Sequence, residues 1–271
     1  YVNEEDFVDT RVMEQPYQRN GADIQIEQDK DGFFRVYDMT TSAFTSGRAS
    51  FFHNALGGYS AVKMGRIHDL YEFYLMGEQP NMNIINMFNV RYLIRFGDNG
   101  GPYAQRNSGA NGNAWFVTDY DLVASADEEI QALANINTKQ KAVIHQEFAE
   151  MLSGKRFAAD STATITLKEF APNRMVYNSK STTEGLVVFS EMYYKPGWKL
   201  TIDGQEADYF RANYTLRAMV LPAGEHEIVF SFEPEVVQRG SMLSLLSAGI
   251  FVLVLLGFGY WNYRNSQSES A

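Results

Sequence analysis

The chain contains no cysteine in its 271 residues. That excludes disulfides, Cys-ligated zinc, iron–sulfur clusters and thiol nucleophiles together. Histidine is scarce as well: only His53, His68, His145 and His226 are present, and none has a second histidine at ligand spacing. His68-Asp69 is the one dipeptide that invites a metal, and its spacing fits a helix-surface pair better. No metal and no cofactor is therefore expected. Positive charge is in short supply, with 23 Lys and Arg against 33 Asp and Glu and a formal net charge of -10. A phosphate-binding surface needs a basic patch, so nucleic acid is excluded as a partner. No P-loop, G-x-S-x-G or dinucleotide fingerprint occurs, and no catalytic residue can be assigned. Acidic residues are abundant, but nothing in the sequence singles out a catalytic pair.

What is present is core-forming material: 45% hydrophobic and 14% aromatic residues. One hydrophobic run stands apart from the rest. Met242–Trp261 reads MLSLLSAGIFVLVLLGFGYW, with no charge between Arg239 and Arg264. Its twenty residues span about 30 Å as a helix, the hydrocarbon thickness of a bilayer. Ser244 and Ser247 can bond back to the helix backbone, and Tyr260, Trp261 and Tyr263 form an interfacial aromatic belt. A transmembrane helix is expected at 241–261, followed by a short polar tail at 262–271. Gly249, Gly257 and Gly259 offer close approach to another helix. The opposite end begins at Tyr1 and continues with polar Asn3, Glu4, Glu5 and Asp6, so the expectation is a piece of a longer protein.

Between these ends the periodicity changes once. Residues 1–160 read as a mixed α/β region. It has a strand at Gly32–Tyr37, a helix at Tyr59–Met76, a helix at Asn81–Asn89 and a strand at Val90–Phe96. Asp98–Gly112 reads as a Gly/Asn-rich loop, and Ser125-x-x-Glu128 as a capping box before a helix at Asp127–Asn135. Residues 161–236 alternate with period two. Asp203-Gly204 and Pro222-Ala223-Gly224 supply turns, the pattern of an antiparallel β-sandwich. The fold class is α+β: the mixed α/β region, then the sandwich-like region, then one C-terminal membrane helix.

Two stretches carry candidate binding residues. In SFFHNALGGYSAVKMGR, Ser50–Arg66, the pair Gly57-Gly58 would expose backbone N–H groups where a helix begins at Tyr59. Lys63 would lie one turn on, on the same face. That geometry attracts anions, and His53, Gly57, Gly58, Tyr59 and Lys63 form the candidate set. A tight turn feeding an amphipathic helix explains the same residues more simply. In Tyr193–Trp198 (YYKPGW), Trp198 is a candidate platform for a sugar ring. An aromatic closing the core at a strand start is the plainer reading.

Four stretches resemble the YfhO family of bacterial multi-pass membrane proteins. They are SFFHNALGGYSAVKMGRIHDLYE (Ser50–Glu72), INMFNVRYLI (Ile85–Ile94), GNAWFV (Gly112–Val117) with ADEEIQAL (Ala126–Leu133), and Phe189–Pro234 with its GW…DG…PAG-H pattern. The resemblance implies a GT-C-like glycosyltransferase that moves a sugar from a polyprenyl-phosphate carrier onto a cell-envelope polymer. It implies a location in the bacterial inner membrane, with the soluble part extracytoplasmic and the tail in the cytoplasm. The family's catalytic carboxylate lies in an early loop that this chain does not contain, so the chain itself is expected to cover or bind substrate. The partners implied are the bilayer, a lipid-linked sugar or envelope glycan, and the upstream transmembrane helices of the same protein. The alternative is a non-catalytic carbohydrate- or partner-binding envelope module anchored by its last helix. A hydrolase on an anchor fits least, because no nucleophile motif is visible.

Overall fold

The computed structural model describes residues 7, 9–30 and 32–268. The side chains of residues 11, 12, 238 and 262–268 lie outside that description. So do the polar start Asn3–Asp6, Asp31, the end of the tail and the side chains of Tyr263 and Arg264.

The N-terminal region opens with helices α1 (Thr10–Glu14) and α2 (Gly21–Glu27). Asn20 caps α2 in a reciprocal capping box with Asp23. Strand β1 (Arg35–Asp38) follows, then α3 (Arg48–Phe52), α4 (Gly65–Leu70) and a π-helical turn at Tyr71–Leu75. Next come α5 (Met82–Met87), β2 (Val90–Phe96), β3 (Pro102–Arg106), β4 (Ala114–Val117) and β5 (Asp119–Val123). The region closes with α6 (Ala126–Ala132), β6 (Lys141–His145), a 3-10 turn at Gln146–Phe148 and α7 (Ala149–Leu152). The remainder is β7 (Thr164–Ala171), β8 (Arg174–Ser181), β9 (Gly185–Met192), β10 (Trp198–Ile202), β11 (Gln205–Ala207), β12 (Phe210–Ala212), β13 (Leu216–Leu221), β14 (Gly224–Phe232) and the long helix α8 (Glu235–Ser268).

Two sheets form a sandwich, ordered β11-β10-β14-β8-β7 and β12-β13-β9-β4. Their facing sides enclose Met175, Tyr177, Val187, Phe189, Met219, Leu221 and Phe230. Tyr177, Phe189 and Phe230 meet edge to face, with centroids 5.0–6.4 Å apart. The four-stranded sheet is covered on its other side as well. Leu186, Val188, Leu216 and Ala218 point into a second core with Leu133, Val143, Ile144, Phe88 and Leu70 from the N-terminal region. Burial on both faces is why β9 and β13 are almost unbroken apolar runs, while β7, on a sheet edge, alternates.

The N-terminal region also lends β4 to this sheet, where it pairs antiparallel with β9. The β12–β13 hairpin turn completes the tie. Buried Asn213 donates its N–H to the Val143 carbonyl at 2.7 Å, and its side-chain oxygen accepts the Val143 N–H at 2.8 Å. One residue, through its backbone N–H and its side-chain oxygen, thus imitates a neighbouring strand for β6. Beside it, Glu129, buried on α6, accepts the Tyr214 N–H at 3.0 Å and an Arg66 Nη1 bond at 3.0 Å.

Element ends shift by up to three residues, as where the strand expected at Gly32–Tyr37 begins at Arg35 and the helix expected to Asn135 ends at Ala132, and the structure departs further from the sequence expectations at two places. The expected loop Asp98–Gly112 contains β3, paired antiparallel with β2. Only the Gly97–Gly101 turn and the segment after Arg106 are irregular, so the glycines mark a hairpin and not a long loop. The expected helix Tyr59–Met76 starts six residues late, at Gly65. Residues 54–56 instead run beside β1, with Val36 N–H to Asn54 O at 2.9 Å and Leu56 N–H to Val36 O at 2.8 Å. Gly57 and Gly58 then turn the chain at φ 125° and 100°, values closed to a helix and strained for any residue with a Cβ.

Helix α8 leaves the sandwich two residues after β14. Residues Glu235–Trp261 form the one described helix long and apolar enough to cross a membrane, and none of its most apolar window is buried against the protein. Ser247 Oγ donates to the Leu243 carbonyl at 2.8 Å, so this hydroxyl is satisfied within the helix.

Candidate functional site

The structure brings three of the candidate residues together and separates the rest. Gly57, Gly58 and Lys63 line one cleft of about 220 Å³, walled by Phe44, Leu56, Met64 and Met192. The cleft is not a helix N-terminus. The Gly58 N–H donates to the Ala43 carbonyl at 2.6 Å, and a Cβ on Gly57 would stand 2.2 Å from that same oxygen. Both glycines serve close backbone packing, and the anion cradle expected from the sequence does not form because α4 starts at Gly65. Lys63 Nζ donates to the Phe44 carbonyl and lies 4.9 Å from the centre of the Phe44 ring. Its charge is turned inward. Tyr59 is 73% exposed and Val62 91% exposed, on a loop bonded mainly through Ser60.

His53 lies elsewhere. Its Nε2 meets Asp23 Oδ1 at 3.0 Å in a buried polar cluster. Arg48 pairs with Asp23 and lies 3.6 Å from the buried Asp38 carboxylate. Burial pushes the Asp23 carboxyl up, but hydrogen bonds from Arg48, the Asn20 N–H and His53 outweigh it and hold the pKa below the ordinary value. The cluster staples α2, α3 and β1 together. A histidine held by one carboxylate, with no second ligand, is structural here. His68 pairs with Glu72 one turn along at 3.2 Å, the helix-surface role expected for it. Among the described residues no group of three or more His, Asp or Glu side chains could hold a metal ion.

Trp198 lines a second cleft, of about 460 Å³, with Lys195, Glu206 and Tyr209. Its ring is occupied. The Arg217 guanidinium lies 4.1 Å from its centre, and Phe232 packs at 5.3 Å. Arg217 is 3% exposed, donates Nε to the Met192 carbonyl at 3.0 Å and has no hydrogen-bond partner for Nη1. Burial lowers its pKa, and the rings of Trp198 and Phe230 compensate the charge in part. Before Trp198, Gly197 stands at φ 83°, where a Cβ would be 2.8 Å from the Phe232 ring and 3.0 Å from Pro234. Its carbonyl accepts the Glu233 N–H at 2.6 Å. The Gly-Trp pair therefore seats the start of α8 on the sandwich.

The rest of the GW…DG…PAG-H pattern is also structural. Asp203 and Gly204 turn β10 into β11 at φ 51° and 79°. Asp203 accepts His226 Nδ1 at 2.7 Å and the Glu227 N–H at 2.9 Å, while His226 Nε2 reaches the Ala223 carbonyl at 3.3 Å. One histidine latches two neighbouring turns.

One cleft carried no signal in the sequence reading. It is the largest of those described here, about 590 Å³, and lies where β1 and β2, a parallel pair, end at Asp38 and Arg95-Phe96. Tyr71 and Leu75 from the π-helical turn line it too. The available clue was Arg95, a second arginine after Arg91 in a strand that is otherwise apolar or aromatic.

The class the fold defines is an α+β body continued by one unburied apolar helix that is long enough to cross a membrane. Residues 154–244 match the family described as bacterial membrane protein YfhO, which is the family the sequence motifs resemble. The match runs from the turn after α7 through β7–β14, which is all of the sandwich except β4, into the first turns of α8. No curated protein and no solved structure matches the chain.

Proposed function

We propose that this chain is the extracytoplasmic part of a multi-pass bacterial inner-membrane protein that transfers a sugar from a polyprenyl-phosphate carrier to a cell-envelope polymer. In this reading the chain covers or binds substrate, and catalysis belongs to the membrane-embedded remainder of the full-length enzyme. The observation that carries it is continuity. The YfhO-matching sandwich runs without a linker into an apolar helix that has no protein cover. Such a helix is satisfied by lipid and by further helices of the same protein, and Gly249, Gly257 and Gly259 allow their close approach. The divisions at 1–160, 161–236, 241–261 and 262–271 belong to the same proposal, as modules of one packed unit followed by its membrane segment. The apolar cleft beside Gly57, Gly58 and Lys63 is the proposed contact with substrate.

Two measurements test this. The described chain has no native thiol, so Ser161→Cys in an otherwise cysteine-free full-length protein reports its side of the membrane. A membrane-impermeant maleimide should label it in intact spheroplasts. Labelling only after lysis would overturn the extracytoplasmic placement. Val62→Glu, at the open edge of the cleft, should reduce incorporation of labelled sugar into envelope polymer at unchanged protein level, and unaltered incorporation would remove the cleft from the reading. The alternative, a non-catalytic carbohydrate-binding module, had its best support in Trp198, and that ring is already covered by Arg217 and Phe232.

A further inference from the structure

We propose that the cleft at the ends of β1 and β2 binds a small, singly charged oxyanion carried on an apolar body, a carboxylate or a phosphodiester, with Arg95 as its anchor. This site is separate from the Gly57 cleft and does not depend on the transferase reading.

Three observations converge on it. The first is position. Open sheets place ligands in the crevice outside the carboxyl ends of parallel strands, and β1 and β2 are such a pair. The cleft's volume of about 590 Å³ falls in the range of small-molecule sites. The second is backbone. Tyr71–Leu75 is a π-helical turn, with the Met76 N–H bonded to the Tyr71 carbonyl at 2.9 Å, and it presents both Tyr71 and Leu75 to the cleft. π-turns are uncommon and recur at functional sites.

The third is Arg95 itself. Its Nε is sealed from solvent without an acceptor, and among the described residues no carboxylate lies within ion-pair distance of its guanidinium. Arg217 is likewise without an ion pair, but its guanidinium lies over the Trp198 and Phe230 rings, whereas half-buried Arg95 has no such ring contact among the described residues. Asp38 lines the same cleft: its Oδ1 accepts from the Thr40 N–H and hydroxyl, and its buried Oδ2 accepts no hydrogen bond and is balanced by the Arg48 guanidinium at 3.6 Å, so that Arg95 and not Arg48 is left to meet a ligand's charge. A desolvated guanidinium without a counter-charge is costly, and an external oxyanion relieves that cost. A neutral polyol would supply acceptors and leave the charge uncompensated.

The walls set the rest of the ligand. Met39, Tyr71, Met76 and Phe96 line the cleft, and Met76 and Phe96 are largely exposed, so an apolar body covers them. Glu78, also lining, repels a second negative charge and selects a monoanion over a dianion.

The test is calorimetric titration of the full 271-residue chain in an uncharged detergent. The probes are 2-naphthoate, diphenyl phosphate, the neutral 2-naphthamide, and phenyl phosphate as its dianion at pH 8. We expect naphthoate, diphenyl phosphate or both to bind at least tenfold more tightly than the amide and the dianion. Which of the two binds more tightly separates a carboxylate site from a phosphodiester site. Arg95→Gln should abolish that preference, Phe96→Ala should weaken both anions with Arg95 intact, and Arg106→Gln on β3 should change nothing. The Phe96 variant keeps the test decisive if the Arg95 variant does not fold. Amide binding equal to anion binding, retention of affinity in Arg95→Gln, or no binding above the detergent blank would each overturn the proposal.

Discussion

Asn213→Ala is the most informative single perturbation of the fold, because one side chain holds the two regions in register. Its oxygen accepts the Val143 N–H at 2.8 Å, in a position with no access to water. Alanine removes that acceptor and leaves a buried donor unpaired, which costs about 1–3 kcal/mol. Asn213 also stands at φ 48°, in the left-handed region that asparagine tolerates better than alanine, which adds about 1 kcal/mol. The Asn213 N–H keeps its bond to the Val143 carbonyl, so the loss is partial: about 2–4 kcal/mol in all. For a body of this size that corresponds to a fall in Tm of roughly 5–15 °C. The assay is thermal unfolding of the full chain in detergent by near-UV circular dichroism, joined to amide exchange at Val143. Loss of protection should be concentrated at β6 and the β12–β13 turn. A fall of less than about 1 kcal/mol, or Val143 protection equal to wild type, would refute the account of the hairpin as the tie between regions.

Gly197→Ala should destabilise by about 2–3 kcal/mol, from the φ of 83° and the contact with Phe232 and Pro234, and urea unfolding measures it. Gly57→Ala should reduce the yield of folded protein, since its Cβ would stand 2.2 Å from the Ala43 carbonyl oxygen, whereas exposed Tyr59→Ala should leave Tm within the error of measurement. The His226–Asp203 latch makes a signed pH prediction. The hydrogen bond to Asp203 raises His226 above 6.5, so its contribution is complete below pH 6.5 and fades as pH rises through the higher folded value. The hydrogen bond from His226 and that from the Glu227 N–H lower Asp203 below 3.8, so its contribution is present above pH 3.8 and is lost as pH falls through the folded value. The stability gap between wild type and His226→Gln should therefore be widest near pH 5 and narrow on both sides, and a gap that grows toward pH 8 would contradict the latch.

What was legible in the sequence followed from how each element is buried. Strand β2 matches the expected Val90–Phe96 residue for residue, because a β-branched and aromatic run bounded by turns leaves little choice. Ser125 was legible as a cap because its Oγ accepts the Glu128 N–H at 3.2 Å, a local bond. Misreadings came where a distant partner decides. Apolar residues in 61–76 have near-helical spacing, but the first part is drawn into a loop by the Ala43 carbonyl and Phe44, which sequence spacing does not reveal. Candidate residues failed for the same reason. Lys63, His53 and Trp198 have the chemistry of binding groups, and each is engaged by a residue at least 19 positions away: Phe44 for Lys63, Asp23 for His53 and Arg217 for Trp198. Arg95 was missed for the converse reason, since a charged residue near a strand end reads as solvated edge until its lack of a partner is seen.

The packing also bears on how the parts would act together. The four-stranded sheet has one face in the sandwich and the other against the N-terminal helices, so a displacement of either layer is felt in both cores. Arg35 bridges the layers directly: from β1 it donates to the Phe88 and Ser190 carbonyls at 3.1 and 2.8 Å and to Glu191 at 2.8 Å. β1 ends at the Arg95 cleft, while Ser190 and Glu191 lie at the end of β9, next to the Met192 carbonyl that holds Arg217 under Trp198. A path that alternates chain segments (β1, and residues 190–192) with the Arg35 and Arg217 contacts therefore leads from the cleft to Trp198 and Phe232, beside which α8 begins. Arg35 is the joint of this path, and Arg35→Met should uncouple the cleft from the start of α8. Ligand-induced change in the emission of Trp198, present in wild type, should vanish while anion affinity at Arg95 persists. An unchanged Trp198 response in Arg35→Met would show that the two ends of this path act independently.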